Sequence, residues 1–146
     1  MTGTRHTGRC LCGAVQFSAD TPTETFSVCH CGMCRRWSAG PFMSVHGDGP
    51  VTITHGDDSL TWYRGSKWAE RGFCNKCGTS LFYRLANQPE LFTAIAIDAL
   101  DDADGFSLQR HIYVDAQPDR YAFADSQPRV AEKELLAEFG LASPEE

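Results

Sequence analysis

No apolar run in this sequence approaches the ~20 residues a helix needs to cross a bilayer. Its first ten residues, MTGTRHTGRC, hold no apolar stretch of the kind a secretory signal carries. Basic residues are the minority: 13 Lys and Arg against 19 Asp and Glu give a formal net charge of −6. That balance argues against nucleic acid, because neutralising phosphates supplies most of the affinity for such a partner and calls for a basic face. Internal repeats and low-complexity tracts are absent too. The expectation is a cytoplasmic protein that engages neither membrane nor nucleic acid; oligomeric state leaves no mark in the sequence.

What is present is a chain of 146 residues, 42% hydrophobic and 22% charged, enough for one domain with a real core. It contains seven cysteines. In a reducing compartment these read as metal ligands or reactive thiols before disulfides, and an odd count fits that reading.

Most of the chain reads as short strands between turn residues. AVQFSA (14–19), FMSV (42–45), VTIT (51–54) and LTWY (60–63) alternate, TSLFYRL (79–85) follows a Cys-Gly turn, LFTAIAI (91–97) looks the most buried, and HIYV (111–114) is shorter. DALDDADGF (98–106) reads as a solvated acidic connector whose spacing does not suit calcium. A turn or two of helix is expected around Cys31 to Trp37. A second helix is expected over 129–140, where Val130, Leu135, Leu136 and Phe139 make an apolar stripe and Gly140 a natural stop. That helix reads as a cover on the sheet, and the final SPEE as a frayed end. The fold class is mainly β with a C-terminal helix.

The cysteines fall into three groups: Cys10 and Cys12; Cys29, Cys31 and Cys34; Cys74 and Cys77. Residues two apart on an extended segment face one side, and residues three apart on a helical turn share a face, so each spacing can chelate. CNKCG (74–78) has the form of a zinc knuckle, in which Gly78 lets the backbone reverse. Seven sulfurs fill one tetrahedral zinc site and leave three for another. Closed four-cysteine sites are structural, whereas three ligands and an open position allow chemistry. Spacing leaves two partitions open. Either the central three stay together, or Cys10 and Cys12 join Cys29 and Cys31 while Cys34 joins Cys74 and Cys77.

GRCLCGAV (8–15), CHCGMCRRWSAG (29–40), RGFCNKCGTSLFY (71–83) and HIYV (111–114), in this order, resemble the glutathione-dependent formaldehyde-activating enzyme family, to which centromere protein V is also similar. The resemblance spans residues 5–121 and leaves 122–146 as a C-terminal extension with one helix. It implies a zinc-containing β-tent of antiparallel meanders. It also implies a structural zinc on Cys10, Cys12, Cys74 and Cys77, and a second, open and labile zinc on catalytic Cys29, Cys31 and Cys34. The implied reaction is a carbon–sulfur lyase-type one joining a small thiol such as glutathione to a small aldehyde such as formaldehyde. After HIYV the family often has a Pro-Trp pair; here Pro118 and Tyr121 of DAQPDRYAF are the nearest equivalents.

Arg35 and Arg36 follow the third thiol and are candidates to offset its charge or grip a substrate carboxylate; each reads equally well as a surface arginine. Trp37 and Phe42 read as core before pocket wall. Among the histidines, His30 lies between two ligands and should point away from the metal, while His6, His46 and His55 read as surface. His111 is the best of the five for a place near the cleft. Beside the enzyme stands a second reading, a zinc-stabilised protein-interaction module with no catalysis, which predicts a fourth protein ligand at the central cluster and no adjoining pocket.

Overall fold

Alternation along each strand sends successive side chains to opposite faces of a sheet, and in this protein the two faces meet different surroundings. A computed structural model describes residues 4–140, with the backbone alone at Phe92. The order is β1 (Thr4–Arg9), β2 (Gln16–Thr21), β3 (Thr25–Cys29), α1 (Gly32–Ser38), β4 (Phe42–Asp48), β5 (Thr52–His55), β6 (Leu60–Arg64), β7 (Ala69–Cys74), β8 (Ser80–Leu85), β9 (Phe92–Ala96), β10 (Ser107–Ile112), β11 (Arg129–Val130) and α2 (Glu132–Glu138). Single 3-10 turns sit at Asp57–Ser59, Ile97–Ala99 and Val114–Ala116. The SPEE end lies outside the described residues.

β1, β2 and β5 form a small antiparallel sheet. The other eight strands make a second sheet in the order β11-β10-β3-β4-β9-β8-β7-β6. Its β6–β9 half is an antiparallel meander, as expected. The other half is mixed, because β10 runs parallel to β3 and β11 parallel to β10.

Val45, Ile95, Phe82 and Gly72 lie opposite one another across β4, β9, β8 and β7. Val45, Ile95 and Phe82 are fully buried, and Phe82 meets Phe17 of the small sheet edge to face at 4.9 Å. Burying a side chain of this size contributes roughly 1.5–3 kcal/mol, so this row welds the two sheets together. Gly8 on β1 fits only without a side chain, since a Cβ there would stand 2.4 Å from Ala99 O. The neighbouring row of the large sheet, His46, Ala94, Tyr83 and Arg71, points the other way. That second face carries the cleft described below.

The expected strands at 14–19, 42–45, 51–54, 60–63, 79–85 and 91–97 correspond to β2, β4, β5, β6, β8 and β9. β1, β3 and β7 were not anticipated. TRHTGR of β1 is mostly exposed, and AERGFC of β7 carries a buried arginine, so neither displays apolar alternation. The 111–114 strand stops at Ile112, because Tyr113 adopts a left-handed conformation with φ 58°. Of the 129–140 helix, Arg129 and Val130 are strand instead. α2 begins after Ala131, whose N–H donates to Glu134 Oε1 at 3.0 Å, and Gly140 follows with φ 69°. The acidic connector starts later than expected, since Ala99 and Leu100 are buried.

Candidate active site

Two loops close the first cysteine cluster. After β1 the chain turns tightly: the Cys10 N–H donates to Val15 O at 3.0 Å, and the Val15 N–H donates to Cys10 Sγ at 3.3 Å. At the end of β7 the Gly78 N–H donates to Cys74 O at 2.8 Å, with Gly78 at φ 81°, a conformation glycine adopts without steric cost. The N–H groups of Lys76 and Cys77 both aim at Cys74 Sγ at 3.4 Å. Leu11 N–H ties the loops together through Thr79 Oγ1 at 3.0 Å. The four sulfurs of Cys10, Cys12, Cys74 and Cys77 then lie within 4.8 Å of one another. Cys10 and Cys12 are 3.7 Å apart, and Cys12 and Cys74 are 3.9 Å apart. Sulfurs ~2.3 Å from a central ion in a tetrahedron stand ~3.8 Å from each other, so the donor set and its spacing suit a soft divalent metal such as zinc.

The second cluster joins the end of β3 to α1. Cys29 is the last residue of the strand; Cys31 caps the helix, its sulfur accepting the Cys34 N–H at 3.3 Å, and Cys34 sits one turn on. The three sulfurs lie within 4.8 Å of one another, and no other His, Cys, Asp or Glu joins them among the described residues. The alternative partition, with Cys34 beside Cys74 and Cys77, is not the one the chain adopts. Hydrogen bonds from the sulfurs of Cys29 and Cys34 push Cys31 far below the ordinary thiol range, helped by the Cys34 N–H and the charge of Arg71. The same shared bonds, with burial, push Cys29 up. The trio therefore holds negative charge most readily on Cys31.

This cluster forms one wall of a cleft of about 140 Å³, room for a small carbonyl compound beside the end of a thiol. The floor is the outward face of the large sheet: Ser27, Phe42, Ser44, His46, Arg71, Tyr83, Ala94, Arg110 and Ile112. Tyr113, Met33, Trp68, Leu85 and, from the α2 end, Leu135, Leu136 and Phe139 also line it. The cation nearest the sulfurs is Arg71, only 5% exposed, whose Nη1 donates to Cys34 Sγ at 3.5 Å. Its guanidinium lies between the Trp37 ring at 5.2 Å and the Tyr83 ring at 5.0 Å, a cation–π clamp that holds it in place. Burial raises both Tyr83 and Tyr113 well above the usual phenol range, so both hydroxyls stay protonated.

The model of the glutathione-dependent formaldehyde-activating enzyme family matches residues 5–116, including both cysteine clusters. The chain belongs to that family. Relatives include an uncharacterized lyase of Schizosaccharomyces pombe, 28% identical over 131 residues that cover 88% of this chain and 93% of the yeast protein. A putative glutathione-dependent formaldehyde-activating enzyme of Halomonas elongata is 28% identical over 120 residues, covering 77% of this chain and 76% of its own. A crystal structure of a Rhodobacter sphaeroides protein shares the fold at a TM-score of 0.58 and 20% identity, over 70% of this chain and 99% of that one.

Within this member of the formaldehyde-activating family, the residues singled out beside the cysteines take varied places. Arg35 turns to the backbone, donating to His30 O at 2.9 Å and Ala116 O at 3.3 Å, and Arg36 is exposed; neither lines the cleft. His111 is 1% exposed and lies behind the sheet face rather than in the cleft. Its Nδ1 is 2.9 Å from His30 Nε2, its Nε2 is 2.9 Å from Asp125 Oδ1, and His30 Nδ1 is 2.8 Å from Tyr121 Oη. In the neutral tautomers Asp125 accepts from His111, His111 from His30, and His30 from Tyr121. This chain of bonds pins the 121–125 segment behind the cysteine loop. Trp37 packs on Phe42 at 5.3 Å, and Phe42 reaches the cleft. His6 is half-buried against Phe106, at 5.1 Å between rings, rather than at the surface.

Sequence reasoning missed Arg71, Tyr83, Tyr113 and Arg110, and it read the apolar stripe of α2 as a cover on the sheet without its place in the cleft lining. Arg71 did leave a signal. It is a single cation in a strand with the cysteine knuckle at its end, and it falls on the face opposite the core row.

Proposed function

We propose that this protein is a zinc-dependent carbon–sulfur lyase-type enzyme that joins a small thiol, with glutathione as the leading candidate, to a small aldehyde such as formaldehyde. The observation that carries this reading is the three-sulfur cluster on the wall of a cleft, with no fourth protein ligand among the described residues. In this reading Cys10, Cys12, Cys74 and Cys77 hold a structural zinc, and Cys29, Cys31 and Cys34 hold a second one with a position left for substrate. A zinc ion bound there supplies the positive charge that keeps a thiol ionised at neutral pH, where a free thiol of pKa ~8.5 is mostly protonated.

The residues of the chain supply the rest. The Arg71 guanidinium offsets the negative charge gathered on the sulfurs. Phe42, Ile112 and Leu135 exclude water from the cleft, which strengthens every charge interaction inside it. The thiolate sulfur attacks the carbonyl carbon, forming the C–S bond as the C=O π pair moves to oxygen. Tyr83 and Tyr113, both protonated, can donate hydrogen bonds to that developing alkoxide. The proton given up by the thiol ends on the new hydroxyl, so the reaction is a balanced addition and runs backward as a lyase. The family resemblance and the relatives' names support this chemistry, and the open cleft supports an enzyme over a closed interaction module. Seven cysteines without a disulfide suit the reducing cytoplasm proposed as its location.

The test is metal content and adduct formation together. Purified protein should carry two zinc ions per chain, the second of them lost first to a chelator. Mixed with glutathione and formaldehyde, it should accelerate S-hydroxymethylglutathione formation, followed by NMR line exchange. Two ions of equal resistance to chelation and no acceleration with any thiol would favour the interaction module.

A further inference from the structure

One end of the cleft is polar, and its construction is specific. Arg110 of β10 lies opposite Ser27 of β3, which lies opposite Ser44 of β4, so the three side chains form a row across adjacent strands. The next row on the same face is Ile112, Cys29 and Phe42. Two residues along a strand span ~6.6–6.8 Å, so the polar row and the row that carries Cys29 are about that far apart along the strands.

A β-bulge makes this row. Leu108 pairs with Phe26 and Arg110 with Ser27, leaving Gln109 as the extra residue. Regular pairing would put Arg110 on the same face as Leu108; the bulge turns it to the cleft instead. A cation brought there has an evident use, and part of its hydrogen-bonding capacity is unspent. Arg110 Nε is buried without a hydrogen-bond partner among the described residues. Its Nη1 is held by both carboxylate oxygens of Glu138, each at 3.0 Å, from the last turn of α2. Glu138 is itself about half exposed, at 46%, so its side chain can leave for water at little cost. The family model ends at residue 116, so α2 and its glutamate lie beyond the matched region.

We infer that Arg110, flanked by Ser27 and Ser44, anchors a carboxylate of the thiol substrate, and that Glu138 is a built-in stand-in which that carboxylate displaces. The inference rests on the proposed function, in that the ligand is a thiol with its sulfur at Cys29, Cys31 and Cys34. The distance selects the class. Extended peptide covers ~3.3–3.6 Å per residue, so a carboxylate one or two peptide units from the thiol-bearing residue reaches Arg110. Peptidyl thiols with a free carboxylate fit; short neutral thiols reach only the sulfurs. An arginine fork suits a carboxylate better than a lysine would, because it donates two parallel bonds to it.

The experiment uses the full metal-loaded protein and S-methylglutathione, a thioether that lacks the reactive thiol, with its diethyl ester as the control without carboxylates. Isothermal titration calorimetry should show Glu138→Gln binding the acid three- to tenfold more tightly than wild type, with the ester unchanged. Arg110→Gln should weaken the acid at least tenfold, and Arg110→Lys should recover part of that loss. If Arg110→Gln does not fold by circular dichroism, Glu138→Gln decides, since that side chain is half exposed. Equal binding of acid and ester, no binding of the acid to Glu138→Gln, or no gain in that variant overturns the inference. Adduct formation with 2-mercaptoethanol and formaldehyde separates the two readings. Activity with this thiol but no acid–ester discrimination sinks the anchor alone, whereas discrimination without activity on any thiol sinks the enzyme and leaves the anchor.

Discussion

Arg71 Nη1 stands 3.5 Å from Cys34 Sγ, though 37 residues separate them, and the guanidinium is 5% exposed. Placed between Trp37 and Tyr83, it is the charge that a cluster of three thiols requires. Arg71→Met should lower kcat/KM about 10–100-fold, equivalent to about 1.4–2.7 kcal/mol of transition-state stabilisation. In metal-free protein the most reactive thiol of the central trio should also titrate higher, because the cation that favours its ionised form is gone. Iodoacetamide alkylation rates against pH, read by mass spectrometry at Cys31, would show an unchanged profile if Arg71 serves packing alone.

The two cysteine clusters should fail differently. Cys74→Ser opens a four-sulfur site that ties β1 to β7, and a structural zinc of that kind contributes folding energy directly. That variant should be poorly folded by far-UV circular dichroism. Cys31→Ser should keep the spectrum and most of the melting temperature while losing adduct formation. Equal unfolding of the two variants would make the central cluster a second structural site.

Tyr83→Phe removes a hydroxyl that burial keeps protonated. We expect kcat to fall about 10–100-fold with the thiol KM within about twofold, the pattern for a donor used only as negative charge develops on oxygen. Because the phenol is raised, its proton is lost only above the ordinary tyrosine range. Wild-type activity should therefore show no tyrosine titration below about pH 10. A Tyr83→Phe variant with normal kcat moves the role to Tyr113.

His111→Phe should cost stability rather than substrate affinity. It strips the partner from buried His30 Nε2 and one of several from Asp125, and an orphaned buried polar group costs about 1–3 kcal/mol. Although partial desolvation raises the Asp125 carboxyl, hydrogen bonds from His111 and the Gln127 N–H, with the nearby charge of Arg129, hold it down to about 2. A depressed carboxyl stabilises the fold above its unfolded pKa and loses that contribution only as pH falls through the folded one. The share of the wild-type advantage over His111→Phe that Asp125 carries should thus be full at about pH 7 and shrink as pH falls below about 4, read by urea unfolding at the two ends of that range. A tenfold rise in thiol KM without loss of stability would return His111 to the substrate.

Much of this protein is legible from the order of its residues. Alternating segments marked four of the strands, since period two is a local property, and a turn signal and an apolar run marked β8 and β9. The cysteine spacings declared three chelating segments, because residues two or three apart share a face in any strand or helical turn. What spacing could not settle was which pairs meet. Cys12 and Cys74 are 62 residues apart and come to 3.9 Å only because β1 and β7 end at the same place. Nor could sequence tell the faces of the large sheet apart. Arg71 and Arg110 drew no notice in the sequence; strand register, and for Arg110 a one-residue bulge at Gln109, turn both toward the face with the cleft. His111 shows the converse: a histidine in a recognisable motif is drawn into a buried chain of hydrogen bonds by segments 81 residues before it and 14 after it. Ligand chemistry is written in neighbouring residues, whereas the surroundings that tune it come from contacts between distant ones, and folding alone decides those.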